Sequence, residues 1–260
     1  MVRILLVAVG WMLVGVAPAA ATDWWGRKLP DQPTNFIVGY GSLINSASRN
    51  ASAASPVEAI PIRVSAKLGY VRSWNAREPS GFTALGLRKA RAGETGTING
   101  VLYPAMGGDM ARFDARETGY VRVEVPGDMI EALAWQSLPR TGKIWIYVPV
   151  TAGGAPGEGL PLASPDYPLL QSYIDVVVEG GLEFGEEFAR EIIETTADWN
   201  RFWLDDRVLA RRPWVYDRQS GHIDALLVKT EPAATYFKVR QFMERAPRNW
   251  PADRAREPAK

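Results

Sequence analysis

Short apolar runs separated by Gly, Pro and Asn dominate the chain from Phe36 to Val148. Runs of this length, bounded by turn-forming residues, are typical of the β-strands of a barrel or a sandwich. After a first run at Phe36–Val38, the sequence predicts strands over Ala59–Val64, Leu68–Trp74, Phe82–Leu87, Gly100–Tyr103, Tyr120–Val125 and Lys143–Val148. We therefore expect a β-rich domain over residues 35–150.

The character of the sequence changes after this domain. Residues 151–168 are rich in Gly and Pro and have little periodicity, which predicts a linker or a lid. Apolar residues at helical spacing then predict helices over Leu169–Glu179 and Glu186–Asn200, and a short terminal helix is predicted over Tyr236–Arg245. We expect an α+β protein in which a mostly helical extension, residues 169–250, packs on the β-rich domain.

Residues 1–22 have the pattern of a secretory signal peptide. Arg3 is their only charge, an apolar stretch follows from Ile4 to Val16, and Ala19–Ala21 provide the small residues before a cleavage point. The apolar stretch is shorter than the roughly 20 residues of a comfortable membrane span. We predict export to the periplasm or the medium, with no stable membrane span after signal removal; the alternative is an uncleaved anchor. The chain has no Cys, so an exported form relies on its core alone.

The charges of the chain are balanced. It carries 30 Lys and Arg against 29 Asp and Glu. Residues 1–22 contain one Arg and no acid, which leaves 29 charges of each sign in the remainder. A protein whose main partner is nucleic acid or an anionic membrane surface has an excess of basic residues. The composition therefore predicts no nucleic-acid partner.

Several kinds of catalytic site are not supported by the residues present. His222 is the only histidine and is predicted to lie in a surface turn, and Ser42 is not in a G-x-S-x-G motif because residue 44 is Ile. One His without Cys does not form a zinc ligand set. Gly39 and Gly41 lack both the third glycine of a dinucleotide site and the Lys of a P-loop. We predict neither a metal nor a cofactor.

The first apolar run ends in an unusual sequence, Gly39-Tyr40-Gly41-Ser42. Glycine adopts backbone conformations that other residues avoid, and it lets another group approach the backbone closely. The glycines on both sides of Tyr40 therefore have two possible explanations. The segment is either a plain turn or a loop whose backbone comes close to a ligand.

A short helix is predicted from Asp109 to Thr118, with Asp109 as its N-cap and Gly119 as its stop. Met110, Phe113 and Glu117 lie at i, i+3 and i+7, so they share one face, which is expected to be the buried one. The neighbouring Arg112 and Arg116 lie on other faces and are predicted to be solvated charges.

Glu117 is therefore a carboxylate on an apolar stripe. Desolvation raises the pKa of such a carboxyl, which suits a general base near neutral pH. The alternative is a structural ion pair between Glu117 and a nearby Arg. The helix alone favours neither explanation.

The two segments together resemble a known family. The loop Tyr40-Gly41-Ser42-Leu43 after a strand, followed roughly eighty residues later by Phe113-Asp114-Ala115-Arg116-Glu117-x-x-Tyr120, is similar to the γ-glutamylcyclotransferase superfamily. Within that superfamily, the glutathione-degrading ChaC branch is similar to this sequence in the Tyr-Gly-Ser-Leu loop and in the Arg-Glu pair. The resemblance covers about Asn35 to Val148 and implies a small mixed β-barrel flanked by helices. The segment from Tyr167 to Arg218 lies outside it.

The resemblance also implies roles for individual residues. Backbone N–H groups of the loop formed by Tyr40, Gly41, Ser42 and Leu43 would hold the γ-glutamyl group, and Glu117 would be the acid/base. Tyr120, at the end of the second motif, is a further candidate for substrate binding. Arg72, with Trp74, would contact the substrate's carboxylate or its remainder; the alternative is a surface charge and a core aromatic.

The activity implied is the cyclisation of a small γ-glutamyl peptide or amine to 5-oxoproline with release of an amine. This chemistry requires one carboxyl group and an oxyanion-binding loop, and no metal, Cys or His. The relatives generally work in the cytoplasm, whereas this chain is predicted to be exported. A second hypothesis is therefore a non-catalytic exported binding protein that keeps the barrel and uses its extension as the working surface. A third is action on trimmed cell-wall γ-D-glutamyl fragments with a free α-amine.

Overall fold

The computed structural model describes residues 33–207 and 219–242. The predicted signal peptide, residues 1–22, and the end of the predicted terminal helix lie outside the described residues. Within the described ranges, no helix combines the length and the apolar character needed to cross a membrane.

The centre of the fold is a six-stranded mixed sheet in the order β6-β8-β1-β5-β2-β7. Central β1 runs parallel to β8, and the other neighbours are antiparallel. The side chains of Phe36, Ile37 and Val38 in β1 are all buried, because both faces of the sheet are covered. The strands are β1 Asn35–Gly39, β2 Ile60–Val64, β5 Ile98–Pro104, β6 Tyr120–Glu124, β7 Ile130–Ala132 and β8 Lys143–Pro149.

A long hairpin, β3 Tyr70–Glu78 and β4 Phe82–Lys89, forms a separate two-stranded sheet. A bulge lies between Trp74 and Ala76 of β3, opposite β4. The prediction of mixed strands with flanking helices is confirmed, but the expected barrel needs a correction. In the part of the chain described, the six-stranded sheet is open and ends at β6 and β7.

Segments from the second half of the chain bond to both edges of the hairpin. On the β3 edge, the N–H of Ala197 donates to the carbonyl of Arg72 at 2.8 Å. On the β4 edge, the N–H of Thr83 donates to the carbonyl of Pro168 at 2.8 Å, and that of Lys89 donates to Gly157 at 3.1 Å. These backbone groups of the hairpin are therefore already paired and do not bond to the six-stranded sheet.

The extension is mostly helical in the described residues. Its helices are α3 Gln171–Leu182, α4 Glu186–Glu194, α5 Ser220–Leu227 and α6 Ala233–Phe237. They accompany a small parallel sheet of β9 Leu169–Leu170, β10 Trp203–Asp205 and β11 Gln241–Phe242. One apolar cluster joins Ile37 and Phe113 of the β-rich part to Ile174, Ile193 and Trp203 of the extension. The two parts therefore share a core.

Two local predictions were wrong, and one helix was not predicted. Helix α4 ends at Glu194 rather than at Asn200, because the next residues turn onto the edge of β3, where Asp198 has a positive φ of 65°. Gln241–Phe242 is a strand, although it lies within the helix predicted near the end of the chain. Helix α1, Ser46–Asn50, was missed; Asn45 caps it by accepting from the N–H of Ser48 at 2.9 Å.

Arg72 is fully buried and connects three parts of the fold. Its guanidinium donates to the backbone carbonyl of Asn99 in β5 at 2.7 Å and to that of Tyr40 after β1 at 3.2 Å. It also donates to the hydroxyls of Thr195 at 2.6 Å and Thr196 at 2.9 Å, just after α4. Burial lowers the pKa of Arg72 to about 9, which leaves the side chain charged at neutral pH.

We expect Arg72→Met to destabilise the protein by about 2–4 kcal/mol, because several buried oxygens lose their donor together. The measurement is urea unfolding at pH 7. Arg112→Met, at an exposed position of the helix Asp109–Arg116, is the matched control. Equal midpoints for the two variants would contradict the role assigned to Arg72.

Candidate active site

A pocket of about 320 Å³ opens where the end of β1, the hairpin, α2 (Asp109–Arg116) and α3 meet. Both motifs of the sequence border it. The lining residues are Val38, Tyr40, Gly41, Ser42, Leu43, Ser48, Ala51, Ser52, Glu78, Phe82, Leu85, Arg116, Glu117, Thr118, Tyr120, Tyr147 and Tyr173. The predicted site residues Tyr40, Gly41, Ser42, Leu43, Glu117 and Tyr120 therefore lie together around one cavity.

Gly39 and Gly41 are required for different structural reasons. A side chain at Gly39 would place its Cβ 3.0 Å from the Cβ of Leu43, so glycine there lets the loop fold back on itself. Gly41 lines the pocket, and a Cβ there would lie 3.3 Å from the hydroxyl oxygen of Tyr173. A short 3₁₀ turn, Ser42–Ile44, follows, closed by a bond from the N–H of Ile44 to the carbonyl of Gly41 at 3.0 Å. The first N–H groups of such a turn have no hydrogen-bond acceptor within the turn.

Two of the tyrosines that border the pocket, Tyr40 and Tyr120, are held by hydrogen bonds from their hydroxyls to backbone carbonyls. The hydroxyl of Tyr40 donates to the carbonyl of Tyr147 at 2.7 Å, and that of Tyr120 donates to the carbonyl of Leu85 at 3.2 Å. Burial raises the pKa of both phenols well above the ordinary value. These side chains therefore form a neutral, rigid wall rather than proton-transfer groups.

Glu117 follows directly after α2 and is fixed by its own backbone. Its N–H donates to the carbonyl of Phe113 at 2.9 Å, and its carbonyl accepts from the N–H of Tyr120 at 3.0 Å. Phe113 is completely buried and Met110 is half-buried on the face that the sequence predicted. The helix begins differently from the prediction: Gly108 is the N-cap, and the buried Asp109 carboxylate accepts from the N–H of Ala54 at 3.0 Å.

The carboxyl of Glu117 is held in an environment that opposes its charge. Its side chain is only 16% exposed. Desolvation raises its pKa to about 7; the Arg116 guanidinium acts against this rise, and the carboxylate of Glu78 adds to it. A group with this pKa exists in both protonation states near neutral pH and can both take and give a proton.

Arg116 is a pocket residue, contrary to the prediction of a solvated charge. It donates to the carbonyl of Ser48 at 2.6 Å and to the hydroxyls of Ser48, Ser52 and Ser42 at 2.9, 2.8 and 3.1 Å. Its Nε lies 3.3 Å from Oε1 of Glu117. Both alternatives left open for Glu117 are thus partly present: it has an Arg partner, yet burial outweighs that partner in setting its pKa.

Arg72 does not lie in the pocket. It is neither a surface charge nor, in this structure, a pocket-lining group; it supports the loop from behind through the carbonyl of Tyr40. Trp74 is a buried aromatic, as the alternative explanation expected. His222 was expected in a surface turn and lies instead in helix α5, exposed, with Nε2 3.3 Å from Oε2 of Glu186.

Sequence reasoning missed eleven of the seventeen lining residues, and three of these carry side chains that shape the pocket: Glu78, Tyr147 and Tyr173. Each lies far from both motifs along the chain, at the end of β3, in β8 and in α3 respectively. No local pattern marks them, because only the packing of these elements brings them to the pocket. The cluster of small residues from Ala51 to Ser55 was a usable signal, since Ala51 and Ser52 line the pocket beside Arg116.

The chain is thus an α+β protein with a pocket whose wall contains the desolvated carboxyl of Glu117. No family model matches the sequence, and no curated protein matches it. Among solved structures, it is similar to a γ-glutamyl cyclotransferase, with 13% identity over 64% of this chain and 90% of that chain and a TM-score of 0.44.

Two further solved structures are similar. One is an uncharacterised protein from Homo sapiens, with 14% identity over 64% of this chain and 90% of that chain and a TM-score of 0.45. The other is a γ-glutamyl cyclotransferase specific to glutathione from yeast, with 17% identity over 62% of this chain and 96% of that chain and a TM-score of 0.33. These matches include the family that the sequence resembles.

The pKa of Glu117 gives a direct prediction. We expect its carboxyl carbon to titrate with a midpoint near pH 7 in NMR spectra of the labelled protein. Glu78→Gln should lower that midpoint, because it removes a nearby like charge. Glu124→Gln, on the exposed strand β6, is the control and should leave it unchanged. An ordinary midpoint near 4.5 would contradict this account of the site.

Proposed function

We propose that this protein is a γ-glutamyl cyclotransferase, which converts a small γ-glutamyl peptide or amine to 5-oxoproline and a free amine. The observation that carries the proposal is the position of Glu117: a desolvated carboxyl with a pKa of about 7, in the wall of a pocket that also contains the Tyr40–Leu43 loop. The resemblance of the two sequence motifs to that superfamily supports the same assignment.

The reaction needs no external nucleophile. The α-amine of the γ-glutamyl group attacks its own γ-carbonyl carbon, which forms the lactam C–N bond; the bond from that carbon to the leaving nitrogen then breaks. The α-amine is an ammonium at neutral pH, so it must first lose a proton. A second proton leaves the same nitrogen after the lactam C–N bond forms, since the lactam keeps a single N–H. Glu117 takes each proton as its carboxylate and returns it, as the acid, to the leaving nitrogen, which gains both protons and departs as an ammonium. Atoms and charges balance without water, metal or cofactor.

The loop would stabilise the charge that develops on the γ-carbonyl oxygen. Backbone N–H groups at the start of the Ser42–Ile44 turn face no acceptor within the turn and can donate to this oxygen. The cavity of about 320 Å³ suits a substrate of small-molecule size.

Arg116 acts as a positioning residue in this proposal. Four of its five N–H groups donate to Ser42, Ser48 and Ser52, and Nε lies nearest to Oε1 of Glu117. The guanidinium is therefore committed to protein oxygens. It fixes the Glu117 carboxylate relative to the loop and helix α1 rather than binding substrate itself.

We expect Glu117→Gln to lower kcat by about 10²- to 10⁴-fold, because the amide cannot accept the proton. The affinity for 5-oxoproline should change little, since size and polarity are kept. Release of 5-oxoproline and calorimetric binding measure the two quantities. The kcat/KM of the unmodified protein should rise with pH through about 7 as Glu117 ionises, and Glu124→Gln serves as the kinetic control.

The stability of the same variant separates the catalytic role from a structural one. Folding raises the pKa of Glu117 from 4.5 to about 7, so it favours the protonated form. Its ionisation therefore destabilises the fold progressively between these values and fully above about pH 7. Glu117→Gln should be at least as stable as the unmodified protein at pH 8. A structural ion pair predicts instead a loss of about 3–5 kcal/mol.

A screen of γ-glutamyl compounds for 5-oxoproline release tests the activity as a whole. Glutathione, γ-glutamyl amino acids and γ-glutamyl amines, each in both configurations at the glutamyl carbon, form the panel. Turnover of none of them, by a folded protein that nevertheless binds a γ-glutamyl compound, would contradict the enzyme and favour the non-catalytic binding protein.

We also propose that the protein acts outside the cytoplasm, from the signal-like pattern of Arg3, Ile4–Val16 and Ala19–Ala21. The expected mature N-terminus lies near Thr22 or Asp23. Mass spectrometry of the protein from its native host, after separation of the periplasmic and cytoplasmic fractions, measures this. An intact Met1 in the cytoplasmic fraction would contradict export.

A further inference from the structure

Helix α3 of the extension lies directly against the glycine loop. Gly180 faces the end of the loop so closely that an added Cβ would lie 2.7 Å from Cα of Asn45 and 2.9 Å from the carbonyl carbon of Ile44. Only a glycine allows this distance between the helix and the backbone. The contact is therefore between two main chains, which do not adjust as flexible side chains do.

Side chains near the end of α3 hold the segment that follows the loop. The carboxylate of Glu183 accepts from the N–H of Ser46 at 2.8 Å and from its hydroxyl at 3.0 Å. The carboxylate of Glu179 accepts from the side-chain amide of Asn45 at 3.2 Å. Acidic groups at the beginning of α1 are also favourable to that helix. The loop is thus fixed on the side away from β1.

The other end of α3 reaches the pocket through Tyr173. Its ring packs on Phe82 with 5.5 Å between ring centroids and on Trp74 with 6.1 Å. Its hydroxyl lies 3.3 Å from the position of a Cβ at Gly41 and accepts weakly from the N–H of Leu85 at 3.4 Å. Tyr173 and Gly180 are seven residues apart, so one helix face spans the loop over about 10 Å.

Helix α3 is itself held firmly by the rest of the extension. At its beginning, the carboxylate of Asp206 accepts from the N–H of Ser172 at 2.8 Å and from its hydroxyl at 2.6 Å. A Cβ at Gly181 would lie 2.9 Å from Cα of Ala189, so α3 and α4 also pack backbone to backbone. The residues after α4 in turn hold Arg72, which binds the carbonyl of Tyr40.

We propose that the C-terminal extension is part of the active site, with α3 positioning the Tyr40–Leu43 loop and Tyr173 acting as a positioning and pocket-shaping residue. The catalytic meaning of this inference rests on the function proposed above, whereas the positioning of the loop is independent of it. The proposal differs from the view that the extension is a separate binding module, because α3 lies next to Gly41 of the loop through Tyr173 and next to the segment just after the loop, Ile44–Ser46.

Two variants test the proposal, each with a control in the same extension. Tyr173→Phe keeps the ring and removes the hydroxyl. Its control is Tyr236→Phe, at a half-buried position of helix α6. Gly180→Ala pushes α3 away from the loop; its control is Gly221→Ala in α5, where an added Cβ meets no atom within 4 Å. Hydrogen exchange of the amides of residues 42–46, the affinity for 5-oxoproline, and KM and kcat are the measurements.

We expect Gly180→Ala to increase exchange at these amides and to lower kcat/KM by about tenfold or more, with Gly221→Ala unchanged. Tyr173→Phe should weaken 5-oxoproline binding and raise KM by about 3- to 10-fold, with kcat within about twofold. Variants indistinguishable from their controls in exchange and affinity would overturn the proposal, as would faster exchange without any change in affinity. A wild-type protein that neither releases nor binds 5-oxoproline refutes the proposed function, and the exchange data then still decide whether α3 positions the loop.

Discussion

The buried guanidinium of Arg72 is the interaction on which the arrangement of this molecule depends. A charge without water is tolerated only when its hydrogen bonds are all made. Its donors reach β5, the start of the glycine loop and the turn after α4, so the sheet, the loop and the extension must meet at one point. Any displacement of the three parts would leave buried oxygens or the charge itself unpaired. The same constraint places the loop in a fixed position beside the pocket.

The chemistry of the pocket depends on a second buried ionisable group, Glu117, whose surroundings disfavour its charged form. Arg72 is surrounded by oxygen acceptors and stays charged, whereas Glu117 is desolvated and has a raised pKa despite its Arg116 neighbour. Arg116 directs four hydrogen bonds to three serines, so its charge is shared with several partners. The arrangement holds the carboxyl in place and leaves its pKa near neutrality, which a strong isolated ion pair would lower.

The sequence predicted what local periodicity encodes. The main strands were predicted because apolar runs between turn residues are a local signal. The position of Glu117 on the apolar face of its helix was predicted from its spacing to Met110 and Phe113. Contacts between distant segments could not be derived in this way. Arg116 was expected in solvent, since nothing in the helix shows that Ser48 and Ser52 lie opposite it. Tyr173 lies in the pocket because helix α3 packs there, and no local pattern in the sequence indicates that packing.

The pairing of both hairpin edges with the second half of the chain has a consequence for shortened forms of this protein. Both edges of the β3–β4 hairpin bond to backbone from the second half of the chain, at Gly157, Pro168 and Ala197. A fragment ending near residue 150 would expose two rows of unpaired backbone groups on a long, largely buried hairpin, which is a template for association with other chains. The β-rich part therefore depends on the second half of the chain for partners at both edges of its hairpin.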